Sequence, residues 1–303
     1  MTERDAADGA DGSSPTPDSP LIRRGRAFAR RFRRNSLAMG GLVVTAAFLL
    51  IALLAPVLAP YDPAAVDVPA RLQGPSLAHP FGTDRYGRDL FSRVLYGARI
   101  ALQVAVATPL VAGAVGVPIG LVAGYVGGRV DDALMRLMDS IFAFPAILLG
   151  LTLVAVFGQS LTNIVAALGI VYIPQFARVT RGSAVSVVEE EHVRVARSLG
   201  ASHLRILLVH VLPFCLSAIL VQATVTAALA IVLESSLSFL GVGVPSPRPS
   251  WGSILRVGKG YVDSGEWWYS VFPGVAIVIA VLGFNLLGDG LRDVLDPRTD
   301  PNR

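Results

Sequence analysis

The chain has 303 residues, of which 53% are hydrophobic and only 16% are charged, and its formal net charge is +4. Because a soluble domain averages about 25% charged residues, this composition excludes an ordinary soluble protein and predicts a membrane protein. The single cysteine, Cys215, excludes a disulfide framework within the chain. Four histidines without clustered cysteines or carboxylates predict no metal site and no cofactor bound by this chain.

The N-terminal tail, residues 1–36, is polar at first and then basic, with seven arginines between Arg23 and Arg34. Such a run can bind nucleic acid, but it precedes an apolar segment here, which favours a topology signal beside lipid headgroups and no nucleic-acid partner. Residues 37–61 carry no charge. We predict a disordered tail and a first transmembrane helix over residues 37–59, which is too long for the apolar region of a signal peptide.

Five further spans follow a proline-rich linker of mixed charge, residues 60–98, which we expect to form an outer linker with an interfacial helix. Charge-free runs cover residues 100–128, 140–177, 211–233 and 267–287. The second run is long enough for two crossings, which the polar turn at residues 157–163 divides. Residues 99–290 are therefore predicted to be the core domain with five transmembrane helices.

The distribution of arginine predicts the orientation of the six spans. Arginines crowd the N-terminal tail and the loop that follows the fourth span, at Arg178 and Arg181. Since positively charged loops stay in the cytoplasm, both termini, including the C-terminal tail at residues 291–303, are expected there. The predicted fold is an all-α membrane protein with six transmembrane helices.

A polar segment, residues 189–213, interrupts the apolar pattern on this cytoplasmic side. As a helix, its first half has one apolar and one polar face, which consist respectively of Val193, Ala196 and Leu199, and of Arg194, Arg197 and Ser198. Gly200 suits a left-handed helix end and a close backbone approach, and Ser202 can cap the next helix. An apolar stripe then follows at helical spacing, at Leu204, Leu207, Leu208 and Val211. Such a helix either lies on anionic lipid or is held by another protein.

The same segment resembles the signature loop of ATP-binding-cassette importer permeases. That signature has Glu-Ala-Ala, three residues, Gly, nine residues, Ile, any residue and Leu-Pro, and "VRVARSLGASHLRILLVHVLP" matches it at Ala196, Gly200, Leu212 and Pro213. The segment departs from the signature at three positions, where it has Arg194 for Glu, Val195 for Ala and His210 for Ile. With Arg194 at this position, the chain cannot make the salt bridge that the carboxylate of the signature's glutamate would make.

Further stretches resemble the second permease subunit of the dipeptide, oligopeptide and nickel branch of that family. They include "HPFGTDRYGRDLFSRVLYGARIAL", "LESSLSFLGVGVPSPRPSWG" and "GFNLLGDGLRDVLDPR", and the resemblance covers residues 35–298. It implies a type I importer transmembrane fold in the bacterial inner membrane. It also implies three kinds of protein partner: a second, different permease, two ATPase subunits or one fused ATPase chain, and an extracytoplasmic binding protein.

By this resemblance the segment is a coupling loop that docks on an ATPase. The residues that would contact or shape the dock are Arg194, Ala196, Arg197, Leu199, Gly200, Ala201 and Pro213. ATP and Mg²⁺ would be used by the partner subunits, because this chain has no phosphate-binding Gly-x4-Gly-Lys-Ser/Thr loop and its one lysine, Lys259, lies in another context. The chain is therefore predicted not to be an enzyme. The solute would be a peptide, with nickel complexes, haem or another small solute as alternatives.

Two other classes of protein remain open from the residues alone. A secondary transporter commonly has inverted repeats and ionisable groups in its spans, whereas these spans are nearly free of charge. A membrane scaffold without transport activity is the second alternative.

Several polar residues beside the spans are candidates for an outer contact or gate. Asp84 and Arg88 lie four apart and could pair on one helix face. Glu234 is expected at the membrane edge, and Trp251 either packs locally or contacts the binding protein. At the inner end, Asp139 is expected to pair with Arg136.

Overall fold

The computed structural model describes residues 32–33 and 35–295, and these residues form a bundle of helices. The first, α1, covers Ser36–Leu58, as the charge-free run predicts. Asn35 caps it, because its side-chain oxygen accepts hydrogen bonds from the backbone N–H groups of Leu37 and Ala38, each at 3.0 Å. The predicted disordered tail lies almost entirely outside the described residues.

Helix α2, Leu90–Val126, is longer than its charge-free run and begins ten residues before the predicted span. Asp89 determines where it begins, since its carboxylate accepts a hydrogen bond from the backbone N–H of Ser92 at 2.7 Å. At 37 residues and 1.5 Å per residue, α2 is about 55 Å long, well beyond a hydrocarbon core of about 30 Å. The predicted linker, residues 60–98, therefore ends in the first turns of a spanning helix.

The third crossing is broken rather than continuous, which corrects the span predicted from residue 140. Helix α3 covers Gly128–Phe142 and helix α4 covers Ala146–Phe157, and the two are bent by 84°. Pro145 immediately precedes α4, and a proline disfavours the helical conformation at the residue before it, which favours a break at this point.

Helix α5 covers Leu161–Val188 and packs along α2. Glycine makes this close contact possible, because Gly116, Gly120 and Gly124 lie four apart on the face of α2 that meets α5. A Cβ atom at Gly120 would lie only 2.4 Å from the carbonyl oxygen of Ala177. Small residues allow helices to approach in lipid, where association depends on packing rather than on the hydrophobic effect.

The rest of the described residues form three short helices, a π-helical turn and two long helices. Helix α6 covers Glu191–Ser198, a short α7 covers His203–Arg205, and a π-helical turn, Ile206–Val211, leads directly into α8, Leu212–Leu240. Helix α9 covers Trp251–Gly258 and α10 covers Trp268–Leu295. The fifth and sixth spans are thus longer than the predicted 211–233 and 267–287. Helix α10 also extends past residue 290, where the core domain was predicted to end.

Five helical stretches are long and apolar enough to cross a membrane, and the bent pair α3 and α4 makes a sixth candidate span. The described residues contain no β-strand, only an isolated bridge between Thr83 and Asp89. The predicted all-α membrane architecture is confirmed, and the candidate spans number six, as predicted, when the bent pair is counted as one. We use "α6 end" for the end of the bundle that carries α6, and "α9 end" for the opposite end, where α9 packs on α8 and α10.

Candidate functional site

Helix α6 is amphipathic and packs on the bundle with one side only. Val193 is fully buried and joins an apolar cluster with residues of α2, α5 and α8. Ala196, on the same side, is 8% exposed. Arg194, Arg197 and Ser198 are exposed, as the sequence predicts. The helix therefore has a fixed inner side and a free outer side.

Leu199 differs from its predicted position on the buried face. It is 82% exposed, because α6 ends at Ser198 and the chain turns before Leu199 can follow the helical spacing. Together with Val195, which is 50% exposed, it adds apolar surface to the outer side of α6. A shallow concavity of about 430 Å³ on this side is lined by Glu191, Arg194, Val195, Ser198 and Leu199.

Gly200 ends α6 in a left-handed conformation, with φ of +78°. The Gly200 N–H donates to the carbonyl of Arg197 at 3.0 Å, and the Ala201 N–H donates to that of Ala196 at 3.1 Å. These two bonds form a Schellman motif, which favours glycine at this position. No atom lies within 4 Å of a Cβ atom built at Gly200. Within this chain, the glycine therefore serves the turn and not a close approach.

The segment after Gly200 corrects the predicted apolar stripe. Ser202 caps α7 as expected, because its hydroxyl accepts the N–H of Arg205 at 3.4 Å. Val211 is buried as predicted and Leu207 is half-buried, but Leu204 is 66% exposed and Leu208 50%. Ile206, which the stripe leaves out, is fully buried. Ile206 and Val211 lie five apart, which fits the wider π-helical turn rather than an α-helix.

Pro213 gives the π-helical turn a physical cause. Proline has no N–H, and its ring displaces the carbonyl four residues earlier, which here belongs to Val209. The Leu212 N–H donates to the carbonyl of Leu207, five residues back. The wider turn thus accommodates a proline where α7 passes into α8.

At the α9 end, Asp84 organises a tight turn. Its carboxylate is fully buried and accepts hydrogen bonds from the backbone N–H groups of Tyr86 at 2.7 Å and Arg88 at 3.0 Å. The predicted pair with Arg88 forms, with 2.6 Å between Arg88 Nε and Asp84 Oδ2, but it lies in a turn and not on a helix face. The turn leaves Tyr86 42% exposed, between the guanidinium groups of Arg85 and Arg88.

Glu234 lies inside the bundle rather than at a membrane edge, because α8 continues past it to Leu240. It is only 1% exposed. Its carboxylate accepts a hydrogen bond from the Ser238 hydroxyl at 2.6 Å and others from Ser235 and Ser250. Ser250 is also the N-cap of α9, so Glu234 joins α8 to the start of α9.

Trp251 is also buried, at 3% exposed, and packs within the chain. Its indole N–H donates to the backbone carbonyl of Val94 at 2.9 Å, and the ring lies where a Cβ atom at Gly97 would be only 2.6 Å away. Trp251 thereby joins α9 to α2. Asp84, Glu234 and Trp251 are thus buried within this chain, and Arg88 keeps 14% of its side chain exposed.

Two ion pairs join α3 to α5 near the α6 end, and neither was predicted from the sequence. Asp139 pairs with Arg178 at 2.6 Å rather than with the predicted Arg136, and Asp131 binds Arg181 through both carboxylate oxygens at 2.5 Å. The partners are 39 and 50 residues apart in the sequence. The helical spacing rule considers only neighbours on one helix, so it cannot find such pairs.

Comparison with known proteins identifies the family. Residues 116–301 match the family described as the binding-protein-dependent transport system inner membrane component. The chain belongs to this family. Residues 24–75 also match the N-terminal transmembrane domain of oligopeptide transport permease C. The resemblance recognised from the signature loop is confirmed, and the chain is a permease, a membrane component of a transport system without catalytic activity of its own.

Individual relatives cover nearly the whole permease. A putative peptide transport system permease of Brucella abortus is 47% identical over 89% of this chain and 90% of its own length. The dipeptide transport system permease of Alkalihalophilus pseudofirmus is 41% identical over 94% of this chain and 96% of its own length. A glutathione transport system permease of Escherichia coli is 43% identical over 89% of both chains.

Family membership makes the secondary-transporter and scaffold alternatives unnecessary, because binding-protein-dependent permeases already account for the six spans and the signature loop. The permease contains no cluster of three or more metal-binding side chains among the described residues. The assignment of α6 and the residues around it to a coupling site stays a prediction, as does the part that Asp84, Arg88, Glu234 and Trp251 play at the α9 end.

Proposed function

We propose that this permease forms half of the path of a peptide importer, with a second, different permease forming the other half. The names of the relatives support a peptide as solute, since they include transport systems for dipeptides and for the tripeptide-like glutathione. Nickel complexes and haem are the alternatives. Uptake of radiolabelled dipeptide, glutathione, nickel and haem into cells with and without this chain distinguishes them, and uptake of nickel or haem without uptake of either peptide would contradict the proposed solute.

We further propose that α6 docks on an ATPase subunit, which would use ATP and Mg²⁺. The observation that carries this proposal is the division of α6 into a buried side and an exposed side. Val193 is fully buried, whereas Val195 and Leu199 are exposed beside two exposed arginines, Arg194 and Arg197. Exposed apolar side chains within a charged rim are typical of an interaction site. The apolar groups would supply contact area and the arginines would pair with acidic groups.

A cross-linking experiment tests the dock. The permease is co-expressed with its ATPase subunits, and a photoreactive residue is placed at Leu199 or, as a matched control, at Leu77, which is fully exposed near the α9 end. Cross-links to the ATPase are expected from position 199 and not from position 77. Cross-links from Leu77 alone would place the ATPase at the other end of the bundle.

The same geometry supports an orientation with the α6 end in the cytoplasm. Exposed arginines lie at that end, at Arg194, Arg197 and Arg205, and positive charge favours the cytoplasmic side. The α9 end would then meet the binding protein, for which the exposed ring of Tyr86 and its flanking arginines offer a surface. A membrane-impermeant maleimide applied to intact cells should label a cysteine at Leu77 and not one at Leu199. The reverse pattern would invert the orientation.

A further inference from the structure

His192 joins α6 to the segment where the π-helical turn passes into α8. Its Nε2 lies 3.3 Å from the carbonyl oxygen of His210, and because a carbonyl only accepts, Nε2 is the donor. The same imidazole lies against the ring of Phe214, with 4.7 Å between centroids and 31° between planes. Its other nitrogen, Nδ1, lies 3.1 Å from Glu190 Oε2 and donates to that carboxylate only when the imidazole is protonated.

These contacts surround Pro213, the residue that imposes the π-helical turn. His210 lies within the turn and Phe214 in the first turn of α8. The His192 imidazole therefore contacts the backbone of His210 before the proline and the side chain of Phe214 after it. A proline and a π-helical turn both weaken the regular hydrogen-bond ladder of a helix, so the junction has less resistance to bending than the helix beyond it.

The apolar contacts of α6 do not provide the same fixed position. Val193 lies in a cluster with Val211 and Cys215, and hydrophobic burial is non-directional. Such contacts resist separation of α6 from the bundle more than they resist sliding along it. A directional hydrogen bond and a ring contact set the position of one element relative to the other.

A second set of contacts joins the same segment to α2. The hydroxyl of Tyr125, in the last turn of α2, lies 2.7 Å from Nδ1 of His203, and the guanidinium of Arg197 lies 5.4 Å from the centroid of the Tyr125 ring. Loss of the His192 contacts would therefore leave α6 attached to the bundle through α2. It would remove the directional contacts to the start of α8 and leave the apolar ones in place.

We propose that His192 is a positioning residue that passes displacement of α6 on to α8. The proposal rests on the docking of α6 on an ATPase, as proposed above. A shift of α6 would pull the His210 carbonyl and the Phe214 ring together, so the start of α8 would follow it. Without the imidazole, α6 would move while α8 lagged behind, and the ATPases would continue to turn over ATP.

Spin-label distances in the transporter copurified with its ATPase subunits test this proposal. In a Cys215→Ser background, labels are placed at Leu220 on α8 and Val43 on α1, both exposed, and distances are compared without nucleotide and with a non-hydrolysable ATP analogue. The His192→Ala variant is expected to reduce the population of the shifted distance about three- to tenfold while ATP turnover persists. Ser186→Ala, exposed on α5 and outside both the docking side of α6 and the His192 contacts, should behave as the unsubstituted transporter.

The outcomes separate this proposal from the docking on which it rests. An unchanged distance shift in His192→Ala overturns the role of His192 and leaves the docking intact. Failure of any ATPase subunit to copurify with the unsubstituted chain overturns both. If His192→Ala does not assemble, His192→Phe is measured instead, since it can stack on Phe214 but cannot donate to the His210 carbonyl. A reduced shift in that variant supports the proposal, and a full shift refutes it.

Discussion

Gly120→Ala should destabilise the permease because α2 and α5 meet at this glycine. The added Cβ would lie 2.4 Å from the Ala177 carbonyl oxygen and 2.7 Å from Thr180 Cβ, whereas non-bonded carbon atoms prefer about 3.5–4.0 Å. The helices would have to separate by about 1 Å. Insertion of a methyl group into a tightly packed contact typically costs about 1–3 kcal/mol.

Gly182→Ala is the matched control for this change. Gly182 lies in α5, and no atom lies within 4 Å of a Cβ atom built there. Replacing glycine with alanine in a helix stabilises it by about 1 kcal/mol through propensity. That gain applies at both positions, so the difference between the two variants isolates the packing cost.

Equilibrium unfolding in mixed detergent micelles, followed by circular dichroism, measures this difference. We expect the free energy of unfolding of Gly120→Ala to lie about 1–3 kcal/mol below that of Gly182→Ala. If the two variants were equally stable, α2 and α5 would have room for the methyl group, and the argument from close approach would be refuted.

Three further predictions concern other contacts. Glu234→Ala should lower the free energy of unfolding by about 1–3 kcal/mol because buried serine hydroxyls lose their acceptor. Glu234→Gln keeps an acceptor oxygen and should lower it less. Equal losses for the two variants in the same micelle titration would contradict this expectation. Trp251→Phe should lower the free energy of unfolding by about 1–3 kcal/mol because the Val94 carbonyl loses its donor, and no loss in thermal unfolding would show that the bond is dispensable. Cys215, which is fully buried, should react with a soluble maleimide far more slowly in the native chain than a cysteine at Leu199, and equal rates would contradict its burial.

The existence of the spans could be predicted from the sequence, but several of their ends could not. Charge-free runs locate helices because charged groups are costly in lipid, and α1 begins and ends within a residue of its prediction. Glu234 was taken as a boundary on the same reasoning, yet α8 continues past it because hydroxyl groups satisfy the carboxylate. Helix ends depend on caps such as Asp89, which a count of charges overlooks.

The candidate coupling site was predictable where local rules apply. The buried positions Val193 and Ala196 follow from helical spacing, and the turn at Gly200 follows from its place after the helix. The π-helical turn was missed because a stripe drawn with 3.6 residues per turn cannot detect a wider one. The contact between His192 and His210 was missed because it depends on how α6 folds back on the start of α8.

The short α4 has a consequence for the surrounding bilayer. Its 12 residues extend only about 18 Å at 1.5 Å per residue, about a third of the length of α2, and its end carries the exposed apolar side chains of Val156 and Phe157. A helix shorter than the hydrocarbon layer favours local thinning or association with a neighbour. We therefore expect the length of the lipid acyl chains beside α4 to influence how the permease sits in the membrane.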